Sequence, residues 1–180
     1  MKPLLKLASG IDALNRLVGQ LARWLILVAV LISAFNAISR KAFSISSNGM
    51  LEIQWYLFAA VFLLCAGYTL LNNEHVRVDV LLSRLSRRKQ LMVELFGLIV
   101  FLMPVAVLVL ALSWGPFMDA YTSGEISSNA GGLVRWPVKL LIPVGFMLLL
   151  LQALSQVIKT IDELRRLPET AAQAPTIQKG

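Results

Sequence analysis

The chain has 180 residues, 57% of them hydrophobic and 15% charged, where soluble domains carry roughly 45–50% and about 25%. One Cys (Cys65) and one His (His75) exclude an internal disulfide, a CxxC redox pair, a zinc cluster and a haem held by two imidazoles. The net charge of +7 sits beside long uncharged runs, so it points to orientation in a lipid bilayer and not to nucleic acid.

No P-loop, dinucleotide-binding, nucleophile-elbow or HExxH string occurs, so we expect no catalytic residue, cofactor or metal and no enzyme activity. At the amino end, Leu4, Leu7, Ile11, Leu14, Val18 and Leu21 recur at steps of three and four. That pattern predicts an amphipathic helix over 1–22, lying in the membrane interface or packing on a partner. The first uncharged run covers 24–39, bracketed by Arg23 and Arg40, whose heads can snorkel to the interfaces. No small-residue cleavage site follows it, so it reads as a retained span.

Further uncharged runs cover 53–73, 95–118 and 140–158, each close to the ~20 residues that a helix needs to cross hydrocarbon. They lack period-2 alternation, and an open sheet could not satisfy its edges in lipid. The expected fold is therefore an all-α membrane protein with four transmembrane helices at about 23–42, 52–72, 91–114 and 136–158, within a domain over 23–160. The stretch over 115–135 reads as a polar loop, Asp79 as the N-cap of a short interfacial helix, and 161–180 as a disordered tail. Pro104 and Pro143 read as kinks, Cys65 as a packing residue, and the tryptophans Trp24, Trp55, Trp114 and Trp136 as interfacial anchors. Gln152 is placed to hydrogen-bond a neighbouring helix.

Thirteen of the seventeen Lys and Arg residues fall before the first run, between the second and third, or after the fourth. By the positive-inside rule both termini should be cytoplasmic. None of the four runs contains an ionisable group, and Glu52, Glu94 and Lys139 stand at run ends. A chain that moved solute or protons alone would be expected to carry a charge near mid-membrane. An ion pair between Arg40 and Glu52 across the first hairpin competes with the alternative that both side chains reach water.

The string Asn73-Glu74-His75-Val76-Arg77-Val78-Asp79 directly after the second span resembles the small membrane subunit (DctQ type) of tripartite ATP-independent periplasmic, or TRAP, transporters. So do Asn36 and Arg40 closing the first span, and Glu52 with Trp55-Tyr56 opening the second. Gly124-Glu125-x-Ser127 and Trp136-Pro137-x-Lys139-x2-Ile142-Pro143-x-Gly145-Phe146, running to Gln152, complete a resemblance over about 14–160. The resemblance implies a bacterial inner-membrane protein that pairs with a large TRAP membrane subunit and a periplasmic substrate-binding protein. Uptake of an organic acid would be driven by an ion gradient, with the small subunit bracing the large one and helping to dock the binding protein. On this reading His75, Arg77 and Asp79 fix the cytoplasmic loop, and Arg40 and Glu52 hold the outer hairpin or touch the partner. Glu125 and Ser127, with Lys139 nearby, lie where a periplasmic protein could land. The rival readings are an autonomous four-helix multidrug/proton exchanger acting as a homodimer through Glu52 or Glu94, and a redox membrane anchor.

Overall fold

A computed structural model describes residues 2–43, 47–72 and 85–167. It has four long helices: α1 (Lys2–Phe43), α2 (Asn48–Leu71), α3 (Arg87–Ser123) and α4 (Trp136–Arg166). All four are long and apolar enough to cross a membrane. They run alternately up and down, and α4 packs against the other three. One end of the bundle therefore carries the α1–α2 and α3–α4 connections, here called the hairpin end. The opposite, terminal end carries the start of α1 and the end of α4.

The interior is built from small side chains. Ala8, Ala22, Ala29, Ala60, Ala106, Ala120 and Ala153 are buried, while large residues such as Phe62, Phe101 and Leu112 face outward. This inverts a soluble core. Lipid tails are as apolar as Leu, so helices gain nothing by hiding large residues and gain dispersion energy by approaching closely. Gly145 shows how close: a Cβ there would stand 2.7 Å from the Leu63 carbonyl oxygen.

The segment expected as an interfacial helix over 1–22 is continuous with the first span, giving one helix of 42 residues, about 63 Å long at 1.5 Å per residue. Its packing face is not the leucine stripe. Leu4, Leu7, Leu14 and Leu21 are exposed, and of that stripe only Ile11 is buried. The buried stripe lies about one residue further round: Ala8, Asn15, Ala22, Ala29 and Asn36, seven apart, joined by Ile11 and Gly19. A seven-residue repeat of small and amide side chains keeps one seam facing the neighbours for the whole helix.

Two helices run longer than the sequence pattern indicated. α3 continues to Ser123 and is closed by Gly124 in the left-handed region (φ 62°), so the loop spans 124–135 instead of 115–135. Pro116 does not end the helix. α4 continues to Arg166, so 161–166, expected in the tail, is helical. Within α3 the turn Gly97–Leu102 is π-helical, and Pro104 follows directly. A π-turn shifts the hydrogen-bond ladder by one residue, which accommodates the missing N–H and ring bulk of a proline.

Candidate functional site

The polar chemistry gathers in two places, one at each end of the bundle. At the hairpin end, Asn48, Glu52 and Tyr56 are spaced four apart and so share a face of α2. The 124–135 loop is seated on that face. Asn48 Nδ2 donates to the Ala130 carbonyl (3.1 Å), and the Tyr56 hydroxyl donates to the Val134 carbonyl (3.2 Å). Between them Glu52, only 2% exposed, receives the Ser127 hydroxyl and Asn129 Nδ2 (2.8 Å) on one oxygen and the Leu133 N–H (2.7 Å) on the other.

The loop has its own fold. Ile126 and Val134 form an antiparallel bridge, Ser127 N–H donates to the Leu133 carbonyl (2.9 Å), and Gly131 turns the chain at φ 70°. Gly132 has no room for a side chain, because a Cβ would lie 2.5 Å from Ser127 Cβ. Below this hairpin Glu125 accepts from the Lys139 ammonium and lies 3.6 Å from Arg135 Nη1. The Lys139 hydrogen bond, with the charges of Lys139 and Arg135, holds the Glu125 carboxyl below its ordinary range. A T-shaped contact between Tyr121 and Trp136 (5.6 Å) closes the junction of α3 and α4.

Towards the terminal end a second cluster joins α1 to α4. Asn15 and Gln152 are both fully buried, and Asn15 Nδ2 donates to Gln152 Oε1 (3.0 Å). Gln152 Nε2 donates in turn to Asp12 Oδ1 (2.9 Å), which also receives the Ser155 hydroxyl (2.7 Å). Lys159 pairs with the other Asp12 oxygen. Asn15 Oδ1 has no N–H or O–H partner among the described residues, but it faces Gly67, where a Cβ would stand 2.2 Å from it. A glycine Cα–H in that position can serve as a weak donor. Beside this seam a polar cleft of about 370 Å³ opens between α2, α3 and α4, crossed by Arg87–Glu163 (2.7 Å) and Gln156–Glu94 (2.9 Å).

Of the residues singled out in the sequence, the structure brings Glu52, Glu125, Ser127 and Lys139 into the hairpin-end assembly. It does not join Arg40 to Glu52: Arg40 is exposed on the last turn of α1, and the donors to Glu52 all come from the α3–α4 loop. Ser127 points inward to Glu52, away from any landing protein. His75, Arg77 and Asp79 lie outside the described residues. Gln152 does bond a neighbouring helix, but Asp12, Asn15, Ser155 and Lys159 were not foreseen as its cluster. The seven-residue recurrence through Asn15 and Asn36, and the four-residue spacing of Asn48, Glu52 and Tyr56, were the available signals.

No curated protein and no solved structure matches the chain. The family model described as "Tripartite ATP-independent periplasmic transporters, DctQ component" matches residues 29–163. That stretch runs from the middle of α1 to the last turn of α4 and takes in the whole Glu52 assembly and the α4 side of the Asp12 cluster. The chain therefore belongs to the DctQ family, the small membrane component of TRAP transporters.

Proposed function

We propose that this small subunit is a brace: a static four-helix body that widens and steadies the scaffold of the large transport subunit during ion-gradient-driven uptake of an organic acid. The observation that carries the reading is the use made of its buried and half-buried carboxylates. Glu52 is held by three donors that seat a loop, and Asp12 by three side chains that lock two helices. A carboxylate that exchanged protons with a substrate would have to leave such partners at each cycle. Glu94 accepts a hydrogen bond from Gln156 Nε2 on α4 (2.9 Å). This favours the brace over an autonomous proton exchanger.

In this reading the terminal end faces the cytoplasm, in keeping with its excess of Lys and Arg, and the membrane is the bacterial inner membrane. The hairpin end then faces the periplasm, where the folded 124–135 loop offers exposed Ile126 and Ser128 to the binding protein. Glu125 and Ser127 contribute by shaping that loop.

Reconstitution tests the proposal. Proteoliposomes with this chain alone should take up no organic acid under an imposed sodium gradient. Adding the large subunit and the binding protein should restore uptake. Transport by the large subunit and binding protein at full rate without this chain would sink the brace.

A further inference from the structure

The uncharged run of α1 is out of step with those of its neighbours. Two contacts fix the register of α1 against α2: the Ser33 hydroxyl donates to Gln54 Oε1 (2.6 Å), and Gly19 is pressed against Tyr68. Both pairs give one antiparallel alignment, which puts Arg23 level with Leu64, and the contact of Asn15 with Gly67 puts it level with Ala59; both levels lie inside the uncharged run 53–73. Leu63 touches Gly145, so the same level on α4 falls inside the run 140–158. α3, tied to α4 by Glu94–Gln156 at one end and Tyr121–Trp136 at the other, has its run 95–118 at that height too. Three helices therefore agree on where the hydrocarbon lies. The first run, 24–39, is displaced about 11 Å from them towards the hairpin end, at 1.5 Å per residue.

The displacement carries Arg23 to mid-membrane depth and Arg16 to within a turn of the run's edge. Both are exposed, and among the described residues neither has a carboxylate partner; Arg23 Nε donates only to the Gln20 carbonyl (3.2 Å). From the middle of a ~30 Å core the nearest interface is about 15 Å away, roughly twice the reach of a snorkelling arginine. Ser9, Ala13, Arg16, Gln20 and Arg23 follow one another at steps of four and three, an exposed polar and small stripe flanking the buried seam of α1. A shallow groove bounded by Ser9, Asp12, Ala13, Arg16, Leu17 and Gln20 runs along it, with the Asp12 carboxylate already taken up by Gln152, Ser155 and Lys159. Ionisable side chains at this depth face protein or a water-filled cavity and are paired.

We propose that this stripe of α1 is where a transmembrane helix of the large TRAP subunit sits, presenting an Asp or Glu side chain to Arg23. The proposal rests on the small-subunit reading above. The small residues Ser9 and Ala13 let the partner helix approach, and the two guanidiniums set its register by charge complementarity.

The test uses the tagged chain in membranes of its native host. A benzoylphenylalanine photocrosslinker replacing Leu17 or Gln20 should form an adduct that peptide mass spectrometry identifies as the large subunit. The same crosslinker at Leu108 or Leu112 of α3 should form little or none. Arg23→Leu should cut recovery of the large subunit about tenfold, with Arg23→Lys in between, as for loss of one desolvated charge pair. Arg23 points away from the bundle, so the variant chain should unfold at the wild-type temperature. Adducts from Gln20 only to lipid or to a second copy of this chain, or undiminished recovery with Arg23→Leu, would overturn the proposal. If the wild-type chain recovers the large subunit but only α3 crosslinks to it, the stripe is wrong and the small-subunit reading stands. If the wild-type chain recovers no large subunit, that reading fails as well.

Discussion

The two polar clusters of this protein solve different problems. At the hairpin end a single carboxylate, Glu52, gathers a serine, an asparagine and a backbone N–H from one loop, so a helix start is tied to irregular chain. Towards the terminal end the side chains of Asp12, Asn15, Gln152, Ser155 and Lys159 tie two regular helices together, the Ser155 hydroxyl also donating to the Ala8 carbonyl (3.2 Å). Irregular backbone near a membrane has no ladder of its own, so its donors need a fixed acceptor. Helices in lipid satisfy their own backbones and lack a hydrophobic force pushing them together, so they need side-chain ties and close backbone approach. The first cluster should govern local opening of the loop, and the second should govern whether the helices stay assembled.

The largest expected effect breaks the second cluster from the α2 side. Gly67→Val would drive methyl groups into Asn15 Oδ1 and the Leu148 carbonyl, costing about 1–3 kcal/mol or more as overpacking does. Thermal unfolding in detergent should shift down, and proteolysis of the 124–135 loop at low temperature should not change. Loss of the loop first would show that the two ends are not separate.

Gln152→Leu comes next. It removes the links to Asn15 and Asp12 but keeps an apolar side chain of similar size, and interhelical bonds in membranes contribute about 0.6–2 kcal/mol. A double-mutant cycle with Asn15→Leu should recover coupling between the two positions. Strict additivity would show that the bond contributes nothing.

At the other end the contrast should reverse. Glu52→Ala frees three donors, and loop cleavage should rise by roughly tenfold as the open population grows. Global unfolding should move less than for Gly67→Val, and Glu52→Gln should fall between wild type and Glu52→Ala.

A smaller, pH-dependent effect belongs to Glu125. Its carboxyl is lowered in the folded protein from a reference near 4.5, so its contribution is complete above that value. The contribution is lost as pH falls through the lowered folded value. Loop protection should therefore weaken on acidification, and Glu125→Gln should remove this component of the pH dependence. The smallest effect is expected for Arg87–Glu163, which is half-exposed and should show coupling of about 0–1 kcal/mol in a double-mutant cycle, reduced by salt.

Much of the fold was legible because charge and apolar length answer to the bilayer one residue at a time. The four helices, the loop near Glu125 and the hydrogen bond of Gln152 to another helix follow from that reading. The face by which α1 packs inside the bundle was not legible, for a reason particular to membranes. In water the leucines at 4, 7, 14 and 21 would mark the buried side, whereas in lipid the alanines and amides beside them do. The end of α3 was placed early because the small polar residues from Asp119 onward read as a loop, yet 115–123 continue a helix that Gly124 closes.

By itself the sequence determined the solvent, the number of crossings and the family, since these depend on composition along the chain and on short strings. Tertiary structure decided the partner of each polar side chain: Glu52 to the distant loop and not to Arg40, Asp12 to Lys159, Asn15 to Gln152. It also decided the register that sets Arg23 beside the uncharged run of α2. The physical reason is that hydropathy is a property of single residues, whereas depth and pairing depend on how far one helix slides past another. Interior glycines such as Gly19, Gly67 and Gly145, where the neighbouring helix leaves no room for a Cβ, set that slide through contacts far apart in the chain.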